Sequence, residues 1–150
     1  MVQIFLNTSY KKHVPSIHLR TLRAKSTSMI VLHVDDDPDD SALFCEAVKE
    51  AAPAYTCLVA DSAASALEIL SDRQMIPDYI FLDMNMPKMN GLECLKLIKN
   101  NHALNHIKVI MYSTASDPAH MKEFKRLGAG FLPKPDRFET LVRNLTDILG

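Results

Sequence analysis

Asp35-Asp36-Asp37, Asp83, Ser113-Thr114 and Lys134-Pro135 each stand at the end of a short apolar run in this chain. Carboxylates gathered together raise each other's pKa unless a metal or a lysine compensates, so a meeting of these side chains would require a cation. All-oxygen ligation favours Mg2+. A divalent ion held by Asp36 and Asp83 would draw in a phosphoryl group, the Lys134 ammonium would neutralise one of its oxygens, and the Ser113 hydroxyl would donate to another. The nucleophile in such a site is a carboxylate. Asp83 is the candidate, because it caps the central strand and attack by an aspartate on phosphorus gives an acyl phosphate.

Bringing four distant segments to one place demands a particular architecture. From Met29 onward, short runs rich in Val and Ile alternate with stretches of helical period, the pattern of βα units around a parallel sheet. The strands are expected near Ile30 to Val34, Tyr55 to Ala60, Tyr79 to Leu82, Lys108 to Tyr112 and Gly130 to Leu132, and their nearly unbroken apolarity fits burial on both faces. In an open parallel sheet, functional groups gather beyond the carboxyl ends of the strands, where strand order reverses. The four chemical segments all fall there.

The helices follow from spacing and caps. Asp37 is the expected N-cap of the first, with Pro38 in its first turn and Leu43, Phe44, Ala47 and Val48 on its inner face. Ala63, Ala66, Leu67 and Leu70 line the second, and Leu92, Leu95 and Ile98 the third. Asp117 and Pro118 open the fourth, with Met121, Phe124 and Leu127 inside and Gly128 as its stop. Asp136 and Glu139 have capping-box spacing at the start of the fifth, whose apolar face runs from Phe138 to Leu149.

At 150 residues, 47% hydrophobic and 23% charged, the chain has the balance of one globular domain. Its longest apolar run is four residues, far from the roughly 20 that span a bilayer, so a membrane protein is excluded as a first reading. Cys45, Cys57 and Cys94 show no CxxC spacing and are expected to be reduced packing residues in a cytoplasmic protein. Residues 1–28 hold five basic residues and no acid, show no sustained period, and are expected to form a disordered basic extension before a domain at 29–150. The remaining 12 basic and 18 acidic residues give the domain a net charge of −6, which argues against nucleic acid as a partner.

Taken together, Val34-Asp35-Asp36, the stretch Leu82-Asp83-Met84-Asn85-Met86-Pro87-Lys88-Met89-Asn90-Gly91, the hydroxyl pair after Val109-Ile110-Met111-Tyr112, and Gly128-Ala129-Gly130 leading to Lys134-Pro135 closely resemble response-regulator receiver domains, here of stand-alone type. The resemblance implies a doubly wound, flavodoxin-like α/β fold: a five-stranded parallel sheet in order 2-1-3-4-5 flanked by five helices. It implies Asp83 as phosphoacceptor, and Mg2+ held by Asp36, Asp83 and the Asn85 backbone carbonyl, with Asp35 acting through water. Ser113 matches the switch hydroxyl, with Thr114 leaving the assignment open by one residue. Lys134 matches the phosphate-pairing lysine, Phe131 the aromatic switch position, and Lys134-Pro135 a peptide bond usually cis in the family. The implied partners are a histidine kinase or histidine phosphotransfer protein and a downstream protein of unknown identity, met by a monomer that catalyses only its own phosphorylation and dephosphorylation.

Two other functions compete. An aspartate-nucleophile phosphohydrolase of the haloacid-dehalogenase type wants an acid two residues after the nucleophile, and Asn85 stands there. A degenerate receiver serving only as an interaction module would have lost Asp83, Asp36 or Lys134, and all three are present. The calcium-loop spacing of Asp35, Asp37, Asp39 and Glu46 lacks its glycine, since Asp40 occupies that place. His102 and His106 have no nearby acid to complete a metal site.

Overall fold

A computed structural model describes residues 2–4, 29–114 and 117–150. The apolar runs form β2 (Met29–Val34), β3 (Tyr55–Ala60), β4 (Tyr79–Leu82), β5 (Lys108–Ser113) and β6 (Gly130–Pro133), all parallel and hydrogen-bonded in the order β3-β2-β4-β5-β6. Counted from Met29, this is the expected 2-1-3-4-5. Between and after them come α1 (Pro38–Ala51), α2 (Ala63–Ser71), α3 (Gly91–Asn100), α4 (Pro118–Arg126) and α5 (Phe138–Leu149).

The sheet also has a sixth strand. β1 (Val2–Ile4) runs antiparallel to β3, with Val2 opposite Ala60 and Ile4 opposite Leu58. These residues fall within the stretch expected to be a disordered extension; instead they occupy the outer edge of β3, whose free N–H and C=O groups offer a template for pairing. Met1 and residues 5–28, the rest of that expectation, lie outside the described residues.

Burial on both faces explains the unbroken apolarity. Leu32, Val34, Ile80, Leu82 and Met111 point into a core shared with α2, α3 and α4, while Val31, Phe81 and Tyr112 point into a second core with Phe44, Ala47 and Val48 of α1 and Leu141 and Leu145 of α5. Phe44 is fully enclosed, and its truncation to alanine would cost about 3–5 kcal/mol.

The caps hold with one exception. Asp37 accepts from the Asp39 and Asp40 N–H groups, Asp117 from the His120 N–H, and Gly128 ends α4 at φ +75°, a conformation open to a residue without Cβ. At α5 the expected cap is corrected: Arg137 holds the N-cap position without a side-chain bond. Two helix faces turn further than expected, leaving Leu43 and Met121 exposed. The Lys134-Pro135 bond, implied to be cis, is trans like every other described peptide bond; trans is the lower-energy isomer for most X–Pro pairs.

The cysteines need the largest correction. Cys45 of α1 and Cys57 of β3, expected as separate thiols, form a disulfide, with Cα atoms 5.6 Å apart. Packing α1 across β3 creates this approach between residues 12 apart, which no local motif announces. Cys94 is free and buried.

Candidate functional site

The sheet changes winding direction at β2, which is flanked by β3 on one side and β4 on the other, and the crevice lies beyond their carboxyl ends. Backbone bonds carry the ladder past the strands: the Asp35 N–H donates to Ala60 O, the Asp83 N–H to Val34 O, and the Lys134 N–H to Ser113 O. All four sequence segments therefore arrive at one edge. Behind Asp83 the chain turns through Pro87 and Lys88, the latter at φ 68°, with the Met89 N–H donating to Pro87 O. It enters α3 at Gly91, where any Cβ would overlap the Asp83 carbonyl, so only glycine lets the helix approach the candidate nucleophile this closely.

Lys134 ties the site together. Its Nζ donates to Asp35 Oδ2 at 2.7 Å and to Asp40 Oδ2 at 3.0 Å, and lies 3.7 Å from Asp83 Oδ1. The ammonium sits 5.5 Å above the centre of the Tyr112 ring, a cation–π contact at the floor of the crevice. Asp35 Oδ1 accepts the Asp37 N–H at 2.9 Å. Asp36, the next residue, points to solvent, yet one oxygen from each of Asp35, Asp36 and Asp83 lies within 4.8 Å of the others.

Burial pushes the Asp35 carboxyl above the usual carboxylate range, against the pull of Lys134 and the Asp37 N–H. Burial and the neighbouring Asp35 charge push Asp83 the same way, opposed by Lys134 and the Asn85 N–H. Burial alone would lower the Lys134 pKa, but its hydrogen bonds to Asp35 and Asp40 hold it above the ordinary lysine value. One ammonium thus faces several carboxylates, two of them resisting ionisation. A further cation would relieve that, and the donor set of buried and solvent-facing carboxylate oxygens fits a hard divalent ion that keeps some of its water.

The hydroxyl pair separates cleanly. Ser113 is fully buried, with an Oγ that has no hydrogen-bond partner, whereas Thr114 is exposed. Asn85 is exposed at the rim of the crevice. Phe131 is half-buried, its ring stacked 6.3 Å from Phe124 beside a cavity of about 560 Å³ between α4 and β6.

Two features of the site escape sequence reasoning. Asp40, in the first turn of α1, is the second carboxylate on Lys134; its only signal is its place one turn beyond the Asp35 strand end. His33 is packed within its strand with no exposure, stacked on Phe44 at 4.2 Å, and its Nε2 lies 4.0 Å from Asp35 Oδ2.

Comparison with known proteins decides the family. The model of the response regulator receiver domain matches residues 31–146. The chain belongs to that family. This receiver domain is 34% identical over 109 residues to the two-component response regulator ORR3 of Oryza sativa, covering 71% of this chain and 80% of that one. Among solved structures, chemotaxis protein CheY4 of Vibrio cholerae matches 81% of this chain and 99% of its own at 28% identity and a TM-score of 0.69. The Mn(2+)-bound form of response regulator Rcp1 matches 80% of this chain and 91% of its own at 25% identity and a TM-score of 0.71. The chain spans 21%, 34% and 52% of the length of three other curated relatives, which are longer proteins. It is thus a receiver module of two-component signalling, and none of its described helices is long and apolar enough to cross a membrane.

Proposed function

We propose that this receiver accepts a phosphoryl group on Asp83 from a phosphohistidine of a histidine kinase or histidine phosphotransfer protein. The observation that supports this reading is the position of Asp83: beside Asp35 and Asp36 on one side, and 3.7 Å from the Lys134 ammonium on the other. An ionised Asp83 oxygen attacks phosphorus, the P–N bond to imidazole breaks, and its electron pair leaves with the imidazole. Asp36, Asp83 and the Asn85 carbonyl would hold Mg2+, with Asp35 acting through water. The bound ion would supply positive charge to the phosphoryl oxygens. Rcp1, a receiver of similar fold, binds Mn(2+), a cation of the same oxygen preference.

Lys134 neutralises another phosphoryl oxygen, and Ser113, whose hydroxyl has no partner to give up, turns toward a third. Its movement leaves room at β6 for the Phe131 ring, which slides from its stack on Phe124 and reshapes the surface of α4, β6 and α5 for a downstream protein. With a domain charge of −6, the receiver acts on a protein partner and not on nucleic acid.

Incubation with acetyl phosphate and Mg2+, followed by intact-mass measurement, tests the proposal. Wild type should gain one phosphoryl mass and Asp83→Asn none. A stable Mg2+-dependent gain on Asp83→Asn would move the acceptor elsewhere.

A further inference from the structure

The Lys134 ammonium has three protons, and in this structure two of them are engaged away from the candidate acceptor: one by Asp35 and one by Asp40. Asp83 Oδ1, at 3.7 Å, lies beyond hydrogen-bond length. The two engaged partners differ in kind. The Asp35 bond is the shorter and its carboxylate is enclosed, while the Asp40 side chain is 41% exposed and its bond longer. Water can replace the lysine at Asp40 at little cost, but not at Asp35. Any new anion at Asp83 that needs Lys134 more closely will therefore draw it from Asp40.

We propose that Asp40 is a positioning residue that competes with the phosphoryl group for Lys134. It holds the ammonium short of Asp83 in the unmodified protein and releases it when phosphoryl oxygens arrive. The inference rests on Asp83 being the acceptor. It adds that the first turn of α1 sets how readily the site takes and keeps its anion, because Asp40 is placed by the Asp37 cap, whose Oδ1 accepts the Asp40 N–H at 3.3 Å. Removing the competitor should strengthen anion binding, a gain that damage to the fold would not produce.

The test uses beryllofluoride, a non-covalent phosphoryl analogue, titrated with Mg2+ by calorimetry into wild type, Asp40→Asn, Asp39→Asn and Asp83→Asn. Asp39 is exposed one residue away, so Asp39→Asn reports the general loss of a negative charge near the site. The expected result is affinity in Asp40→Asn raised roughly two- to fivefold over Asp39→Asn, the scale of a half-exposed ion pair. In Mg2+-free protein, Lys134 should also be reductively methylated faster in Asp40→Asn than in wild type. Equal affinity in the two variants, weaker binding in Asp40→Asn, or an unchanged methylation rate overturns the competition alone. Binding that persists in Asp83→Asn overturns the acceptor assignment and the competition with it.

Discussion

Lys134 Nζ and Asp35 Oδ2 meet at 2.7 Å across 99 residues of chain, joining the end of β6 to the end of β2 inside a crevice where the carboxylate is almost wholly enclosed. Such a pair contributes little net stability while intact, but breaking it strands a buried charge.

Lys134→Met should therefore destabilise the domain by roughly 3 kcal/mol near neutral pH. Burial already raises the folded-state pKa of Asp35 and Asp83, and loss of the ammonium raises both further. Their ionised forms then oppose folding above those pKa values, and protonation relieves the penalty as pH falls. Urea unfolding from pH 8 to pH 4.5 should show the gap between variant and wild type narrowing; a constant gap would mean the lysine acts through packing alone.

His33 gives the opposite dependence. Burial first, and the Lys134 charge second, lower its pKa to about 3, and its surroundings are Phe44 of α1, Tyr112 of β5, Asp35 and Lys134. The unfolded chain binds a proton near pH 6.5 that the folded protein refuses. Stability is thus full above that value and falls on acidification toward pH 3, by up to about 1.4 kcal/mol per pH unit. His33→Phe should flatten this limb, measured as the difference between variant and wild-type unfolding free energies at pH 7 and pH 5.

Ser113→Ala and Thr114→Ala should separate phosphoryl binding from its readout. Replacing the buried, unpartnered Ser113 hydroxyl should leave stability within about 1 kcal/mol and permit phosphorylation, yet weaken the amide shift changes that beryllofluoride causes around Phe131 and α4. Thr114→Ala, on the exposed side, should behave as wild type. Full shift changes in Ser113→Ala would assign the hydroxyl role elsewhere.

The Cys45–Cys57 pairing predicts that alkylation of the denatured, unreduced protein labels Cys94 but neither of the other two. Closing the loop between residues 12 apart should stabilise the oxidised form by roughly 2–3 kcal/mol, seen as a lower melting temperature after reduction. Three labelled cysteines without reductant would show that the bond does not form in solution.

The five parallel strands and the N-caps Asp37 and Asp117 were legible in the sequence because each rests on neighbours within one segment, as in the apolar run Tyr79–Leu82. The start of α5 was not legible, because Asp136 and Glu139 have a cap's spacing while the helix begins at Phe138 with Arg137 before it. Asp35, Asp36, Asp83, Ser113 and Lys134 were legible as candidates since strand ends in such a sheet share one edge.

Distances across that edge were not legible. Only the packed sheet decides that Lys134 divides itself between Asp35 and Asp40, that Ser113 is enclosed while Thr114 faces water, and that Cys45 reaches Cys57. The ion pairs depend on β6 delivering Lys134 to the edge it shares with β2 and α1, the disulfide on the packing of α1 against β3, and the two hydroxyls on the alternation of faces at the end of β5. Periodicity along one segment gives the face a residue occupies, but the partner on that face belongs to another segment, and only tertiary packing brings the two together.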